Sequence, residues 1–138
     1  MRIKVDKADR VISLYIKELN EWQCMKCLTC YDRDAPYVNK SLQCSHFWGR
    51  GNEMTRFDLG NLDPLCFGCH IRVESNKQGW YRDYMIRKLG PEGYAKLRRK
   101  ASSTFGGHKK THRKKQYELW KENYLKLCEE KGVEPKKC

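Results

Sequence analysis

The chain has 138 residues, and its 29 Lys and Arg outnumber 17 Asp and Glu to give a formal net charge of +12. A mean hydropathy of −0.90 excludes a membrane protein, because no apolar run approaches the length that spans a bilayer. The first residues lack the apolar segment of a signal peptide, so we expect a cytoplasmic location. Eight cysteines in such a chain favour metal ligands or free thiols over disulfides.

The positive charge is concentrated in the second half of the chain. Residues 1–70 carry ten Lys and Arg against nine Asp and Glu, whereas residues 71–138 carry nineteen against eight. Nine basic residues with no acidic residue among them form a basic block, which comprises Lys96, Arg98, Arg99, Lys100, Lys109, Lys110, Arg113, Lys114 and Lys115. Because such a block can neutralise phosphates, it favours DNA binding. A solvated surface tail is the alternative.

Hydrophobic periodicity predicts the elements of the first half. Apolar residues at helical spacing predict a first helix over residues 6–22. A polar loop over 31–40 precedes a strand predicted over 42–48, and residues 54–57 are predicted to be its return strand. A weaker helical signal follows over 66–77.

Glycines divide the second half into further helices. Residues 80–89 predict a helix that Gly90 closes, and Pro91 begins another. The pair Gly106-Gly107 breaks the chain, and aromatic residues at helical spacing predict a last helix over 111–131. We interpret those aromatic residues as core contacts rather than base-stacking platforms.

Two C-x-x-C pairs predict a structural zinc site with four thiolate ligands, Cys27, Cys30, Cys66 and Cys69. Cys24 is an alternative partner for Cys27, but the pair with Cys30 leads straight into the polar loop and is preferred. Cys44 and Cys138 are expected to be free thiols. Buried free thiols or a redox-active pair are the alternative to zinc.

Three further residues, His46, Asn61 and His70, lie between the cysteine pairs or directly after them. Together with the cysteine pairs and the runs 43–48 and 61–66, they resemble the HNH nucleases of the ββα-metal group, and more narrowly the phage NinG recombination endonucleases. The resemblance implies a small α+β fold with a zinc-stabilised ββα-metal core flanked by helices. It also implies metal-dependent cutting of branched DNA.

The resemblance gives each of the three residues a role. His46, at the end of a strand, would be the general base that activates the attacking water. His70 would bind the catalytic Mg²⁺ or Mn²⁺ at the start of the facing helix. Asn61 would tie the hairpin loop to the base or assist the metal.

Ser45 departs from the common HNH pattern, in which an Asp immediately before the catalytic histidine binds metal. NinG-like sequences also lack this Asp, so the departure does not exclude activity. Asp58 or Asp63 is a candidate for the missing oxygen ligand.

These observations predict three segments: an amino-terminal helix over residues 1–23, a zinc-knuckle nuclease core over 24–80 and a helical, basic DNA-binding extension over 81–138. The expected function is that of a NinG-like endonuclease that cuts a D-loop or a Holliday junction, in the host cytoplasm if the chain is phage-encoded. Two coordinated cuts would suit a homodimer. An HNH enzyme that nicks or restricts duplex DNA, and a non-catalytic zinc-binding DNA module, are the alternatives.

Overall fold

The computed structural model describes residues 3–137, which contain helices and one two-stranded antiparallel sheet. The elements in chain order are α1 (Lys7–Leu19), α2 (Val38–Ser41), β1 (Leu42–His46), β2 (Leu62–Cys66), α3 (Phe67–Ser75), α4 (Arg82–Ala101) and α5 (Lys109–Lys131). A 3₁₀ turn precedes β2, and a short π-helical turn precedes α4. Within these residues no helix has both the length and the apolar character needed to cross a bilayer.

The first helix begins at a capping box. The Asp6 carboxylate accepts the Ala8 N–H at 2.9 Å, and the Asp9 carboxylate accepts the Asp6 N–H at 2.7 Å. This reciprocal pair satisfies backbone donors that the first turn would otherwise leave free. The predicted helix is confirmed, although α1 ends at Leu19 rather than at residue 22.

The partner strand of β1 is not the expected one. β1 pairs with β2, so that Leu42 lies opposite Cys66 and His46 lies opposite Leu62. Residues 54–57 form turns, and the prediction of a return strand there is wrong. β2 contains Pro64, which cannot donate a ladder hydrogen bond and so weakens the strand signal in the sequence. A two-stranded sheet has only edge strands, which tolerate proline.

β2 leads directly into α3, so two antiparallel strands and a helix follow one another in the chain. The predicted α+β class is confirmed. The glycine breaks are also confirmed: Gly90 has φ 77° and interrupts the helical backbone of α4 before Pro91. Gly132, with φ 69°, ends α5 in the left-handed conformation.

Helix α5 packs along α1, so elements near the two ends of the described chain are in contact. The side chain of Glu18 is only 1% exposed there, and its carboxylate accepts hydrogen bonds from Arg33 Nε at 2.9 Å and Lys131 Nζ at 2.7 Å. Tyr124 is buried, and the rings of Tyr15 and Trp120 lie 5.1 Å apart. The interpretation of these aromatic residues as core contacts is confirmed.

A second buried ion pair fastens the loop between the strands to α1. Arg56 donates to the Asp9 carboxylate from Nη2 at 2.6 Å and from Nε at 3.0 Å. Both side chains are almost fully buried. Removing one partner would leave an uncompensated buried charge, which typically costs about 3–5 kcal/mol.

Candidate functional site

Four cysteine sulfurs come together where the first loop meets the start of α3. The Sγ atoms of Cys24, Cys27, Cys66 and Cys69 all lie within 4.8 Å of one another. Cys24 and Cys69 are buried, whereas Cys27 is exposed. Four thiolates are a donor set that Zn²⁺ adopts in structural sites, so the cluster could hold a metal ion such as zinc.

The fourth member of this cluster is Cys24, and the expectation that it would be Cys30 is wrong. The Leu28 N–H donates to the Cys24 carbonyl at 2.9 Å, and Leu28 itself has φ 65°. The chain has therefore closed a tight turn before it reaches Cys30. Cys30 lies after the turn, where its backbone forms an isolated β-bridge with Gln23, and the residue is exposed.

The protonation of the thiols differs with their surroundings. The Thr29 hydroxyl, 3.2 Å from the Cys27 Sγ, lowers the pKa of that thiol to about 6 and so favours the thiolate that a metal needs. Burial raises the pKa of Cys44 to about 12, in keeping with a free thiol. Cys138 lies outside the described residues.

A cavity of about 910 Å³ lies between α1, β1 and α3, and both His46 and His70 line it. Five cations also line this cavity, namely Lys4, Arg10, Lys17, Arg50 and Lys137. Asp9 contributes a carboxylate to the lining, but Arg56 already neutralises it. The cavity is therefore positively charged, although residues 1–70 hold almost equal numbers of basic and acidic side chains.

His46 ends β1 and is only 7% exposed. Its Nε2 atom is buried and has no hydrogen-bond partner among the described residues. Burial, with a smaller contribution from Arg50, lowers the pKa of His46 to about 4, so the imidazole is neutral at pH 7. Buried nitrogens are rarely left unpaired, and an unpaired neutral imidazole that lines a cavity is a ready proton acceptor.

His70 lines the same cavity from α3. Its Nδ1 lies 2.7 Å from Gln43 Oε1, which can only accept, so a hydrogen bond between these atoms requires the tautomer with the proton on Nδ1. Nε2 then carries the lone pair and lies 3.6 Å from Glu74 Oε1. Burial lowers the pKa of His70, against the opposing effect of Glu74. A histidine whose other nitrogen is held in this way has the usual arrangement of a metal ligand.

Asn61 holds the backbone around the end of β1. Its Oδ1 accepts the Trp48 N–H at 2.8 Å, and its Nδ2 donates to the carbonyls of Trp48 at 2.9 Å and Thr55 at 3.1 Å. Asn61 does not line the cavity. Of the roles expected for it, tying the loop that follows His46 matches these contacts.

The carboxylates considered as substitutes for an Asp at position 45 point elsewhere. Ser45 is buried and lies opposite Asp63 in the sheet. Asp63 accepts a hydrogen bond from Lys88 at 3.0 Å, and Asp58 pairs with Lys100 at 2.7 Å. Neither aspartate lines the cavity, so neither candidate is placed to supply an oxygen ligand there.

The basic block lies on the end of α4 and the start of α5. Two of its members form ion pairs, Lys100 with Asp58 at 2.7 Å and Arg113 with Glu53 at 2.8 Å. Seven others are exposed and have no salt-bridge partner in the described part of the chain, namely Lys96, Arg98, Arg99, Lys109, Lys110, Lys114 and Lys115. These seven are free to contact a polyanion.

Sequence reasoning missed the cavity-lining cations. Arg50 did carry a signal, since it stands between two glycines only four residues after His46. Lys17 carried none, because its burial depends on how α1 packs. Comparison of the chain with known protein families, curated proteins and solved structures found no match.

Proposed function

We propose that this protein is a divalent-metal-dependent endonuclease that hydrolyses DNA phosphodiesters, in the manner of the HNH enzymes that its motifs resemble. The observation that carries the proposal is that His46 and His70 line one cavity together with five cations. The order of β1, β2 and α3, with His46 at the end of β1 and His70 in α3, also matches what the resemblance implies.

The residues divide the work of hydrolysis. Neutral His46 takes the proton from the attacking water on its imidazole. His70, oriented through Gln43, would hold the divalent ion through Nε2. When bound, that ion would neutralise charge on the phosphate and stabilise the departing 3′ oxygen. Asn61 acts as a positioning residue, since it holds the loop after His46.

The cysteine cluster is assigned to structural zinc. It joins the turn at Cys24 to the end of β2 and the start of α3, and the Met25 N–H donates to the Pro64 carbonyl beside it at 3.0 Å. Zinc at this position fixes α3, and with it His70, against the sheet. Its contribution is preorganisation rather than chemistry.

Branched DNA is the substrate that the charge distribution favours. The free cations of the basic block lie on two helix ends separated by Gly106-Gly107. Two cationic helix ends can hold two backbone arms, as a D-loop or a Holliday junction presents them.

An assay on three substrates tests this proposal. Labelled junction, D-loop and linear duplex of shared sequence are incubated with Mg²⁺, with Mn²⁺ or with no added divalent ion. We expect cut products from the branched substrates only when Mg²⁺ or Mn²⁺ is present. Equal cutting of linear duplex would favour the nicking or restriction alternative. Tight binding without cutting under both ions would favour a non-catalytic DNA module.

The basic block also predicts how the affinity for DNA depends on salt concentration. If about five of its cations meet phosphates, log K should fall against log salt with a slope of about −4 to −5. A variant with alanine at Lys109, Lys110, Lys114 and Lys115 should bind more weakly and lose up to about 3.6 from that slope. Arg113 is kept, because its ion pair with Glu53 stabilises the fold. Fluorescence anisotropy of labelled junction measures both quantities.

The control for this variant removes four positive charges outside the block, at Lys7, Lys40, Lys121 and Lys126. It should retain most of the slope. Equal slopes for the wild type and the block variant would mean that the block is a solvated surface and does not contact DNA.

A further inference from the structure

Lys17 is a buried cation without a carboxylate partner. It is 2% exposed, its Nζ donates to Asn39 Oδ1 at 2.8 Å, and it forms no salt bridge with any described residue. An isolated buried ammonium ion is costly, and lysine is almost never fully buried unless it is paired. The described groups that face this ammonium are Asn39 and the Trp22 ring, whose centroid lies 5.9 Å from Nζ, and neither is an anion.

The cavity that Lys17 lines is suited to an anion. Its other cations are Lys4, Arg10, Arg50 and Lys137, which come from four different segments of the chain. Its one carboxylate, Asp9, is already paired with Arg56. Ile3, Val5 and Leu14 give it an apolar wall. A volume of about 910 Å³ falls within the range of about 300–1,000 Å³ typical of sites for small organic ligands.

We infer that the Lys17 side of this cavity binds a backbone phosphate of a nucleotide next to the one that is cut, with the base of that nucleotide against Ile3, Val5 and Leu14. The inference rests on the proposed function for the choice of nucleic acid as the ligand. Binding itself requires neither cutting nor a catalytic metal. Inside the cavity Lys17 acts on the phosphate as a point charge that solvent screens only weakly.

The inference narrows the class of substrate. A base that is stacked and paired in a duplex cannot also lie against a wall inside the cavity, so the nucleotide must be unpaired. Branch points and single-stranded tails supply such nucleotides. The basic block would then hold the duplex arms, while the cavity selects strands that have an unpaired nucleotide beside the cut.

Calorimetric titration of zinc-loaded protein, with no other divalent ion added, tests the inference. The probes are a thymidine tetranucleotide and inorganic phosphate. Lys17→Met, which keeps most of the length of the side chain but removes its charge, should weaken binding of the tetranucleotide by about 10–100-fold. Lys7→Met makes the same change on an exposed part of α1 and should alter affinity less than twofold. Equal affinities for Lys17→Met and wild type would overturn the inference.

Two further outcomes separate the possible explanations. If inorganic phosphate binds as tightly as the tetranucleotide, the cavity is a site for free phosphate and the inference fails. If DNA is cut but Lys17→Met binds the tetranucleotide normally, the inference fails while the proposed function stands. If Lys17→Met weakens binding but the wild type cuts no DNA under either ion, the proposed function fails alone.

A second measurement needs no variant. Burial lowers the pKa of Lys17 to about 8, and a phosphate beside the ammonium should raise it. The ¹³Cε resonance of Lys17 in wild-type protein reports this pKa with and without tetranucleotide. An unchanged pKa at saturation would show that no phosphate lies beside Lys17. Lys17→Met should also fold, because the substitution removes a buried charge that is costly to desolvate and leaves an apolar side chain in its place.

Discussion

Replacing His46 by alanine is expected to slow DNA cleavage by about 10²–10⁴-fold while DNA affinity stays within about twofold of wild type. The loss follows because His46 is the base of the proposed mechanism: its imidazole lines the cavity, and its Nε2 is unpaired among the described residues. The affinity should persist, because the exposed cations that would contact the backbone lie on α4 and α5. Single-turnover cleavage and anisotropy measure the two effects separately.

The matched control is His108→Asn. His108 is exposed and caps α5, where its Nδ1 accepts the Thr111 N–H, and asparagine keeps a capping acceptor at that position. Its cleavage rate should match wild type. If His46→Ala cut at the wild-type rate, another residue would have to be the base. His70→Ala should also lose activity, and added Mn²⁺ should restore part of it if His70 binds the metal.

The pH dependence of stability gives His46 a second signature. Burial lowers its pKa to about 4, whereas an unfolded histidine titrates near 6.5. Between these values the unfolded chain binds the proton more readily, so this residue lowers the free energy of unfolding as the pH falls from about 6.5 to about 4. His46→Ala should lose that part of the pH dependence, as denaturant unfolding at several pH values would reveal. In the wild type, His46 should remain neutral well below pH 6.5, as the proposed role of general base requires.

Replacing Cys24 by serine is expected to abolish zinc binding and with it the cooperative unfolding of the core. Structural zinc contributes about 10–16 kcal/mol in small zinc-binding peptides, which equals or exceeds the whole stability of about 5–15 kcal/mol typical of a domain. Elemental analysis should find about one zinc per chain in wild type and little in Cys24→Ser. Thermal unfolding followed by circular dichroism should lose its cooperative transition.

Cys30→Ser is the matched control, because it makes the same change six residues away, outside the cluster. It should keep both the zinc and the unfolding transition. The opposite result, with zinc lost from Cys30→Ser and kept in Cys24→Ser, would return Cys30 to the ligand set. Folded wild-type protein that contains no metal would contradict the assignment of zinc altogether.

The sequence predicts those helices and helix breaks whose signal lies within the segment itself. α1 and α5 follow from apolar spacing, and Gly90 and Gly132 break helices where glycine alone adopts positive φ without strain. β2 was missed because Pro64 and Asp63 are unusual in strands. Spacing alone cannot decide between Cys24 and Cys30, since both form a C-x-x-C with Cys27. Only the turn at Leu28 distinguishes the two cysteines.

The cavity was harder to predict than the histidines. His46 and His70 lie inside a recognisable motif, whereas the cations around them come from positions as distant as Lys4 and Lys137. Their positive field arises only when α1 packs against the sheet and the carboxyl-terminal segment returns to α1. The net charge of residues 1–70 does not reveal this positive field, because it also counts the buried carboxylates of Asp9 and Glu18.

The ion pair between Glu18 and Lys131 has a consequence for how the protein is made. The two residues are 113 positions apart, so the ribosome must synthesise Lys131 before Glu18 gains this second cation and α5 covers α1. Until then the part of α1 that packs against α5 stays open to water. Contacts between such distant residues slow folding and lengthen exposure to aggregation. The helix α1 is therefore fully packed only after α5 has been synthesised.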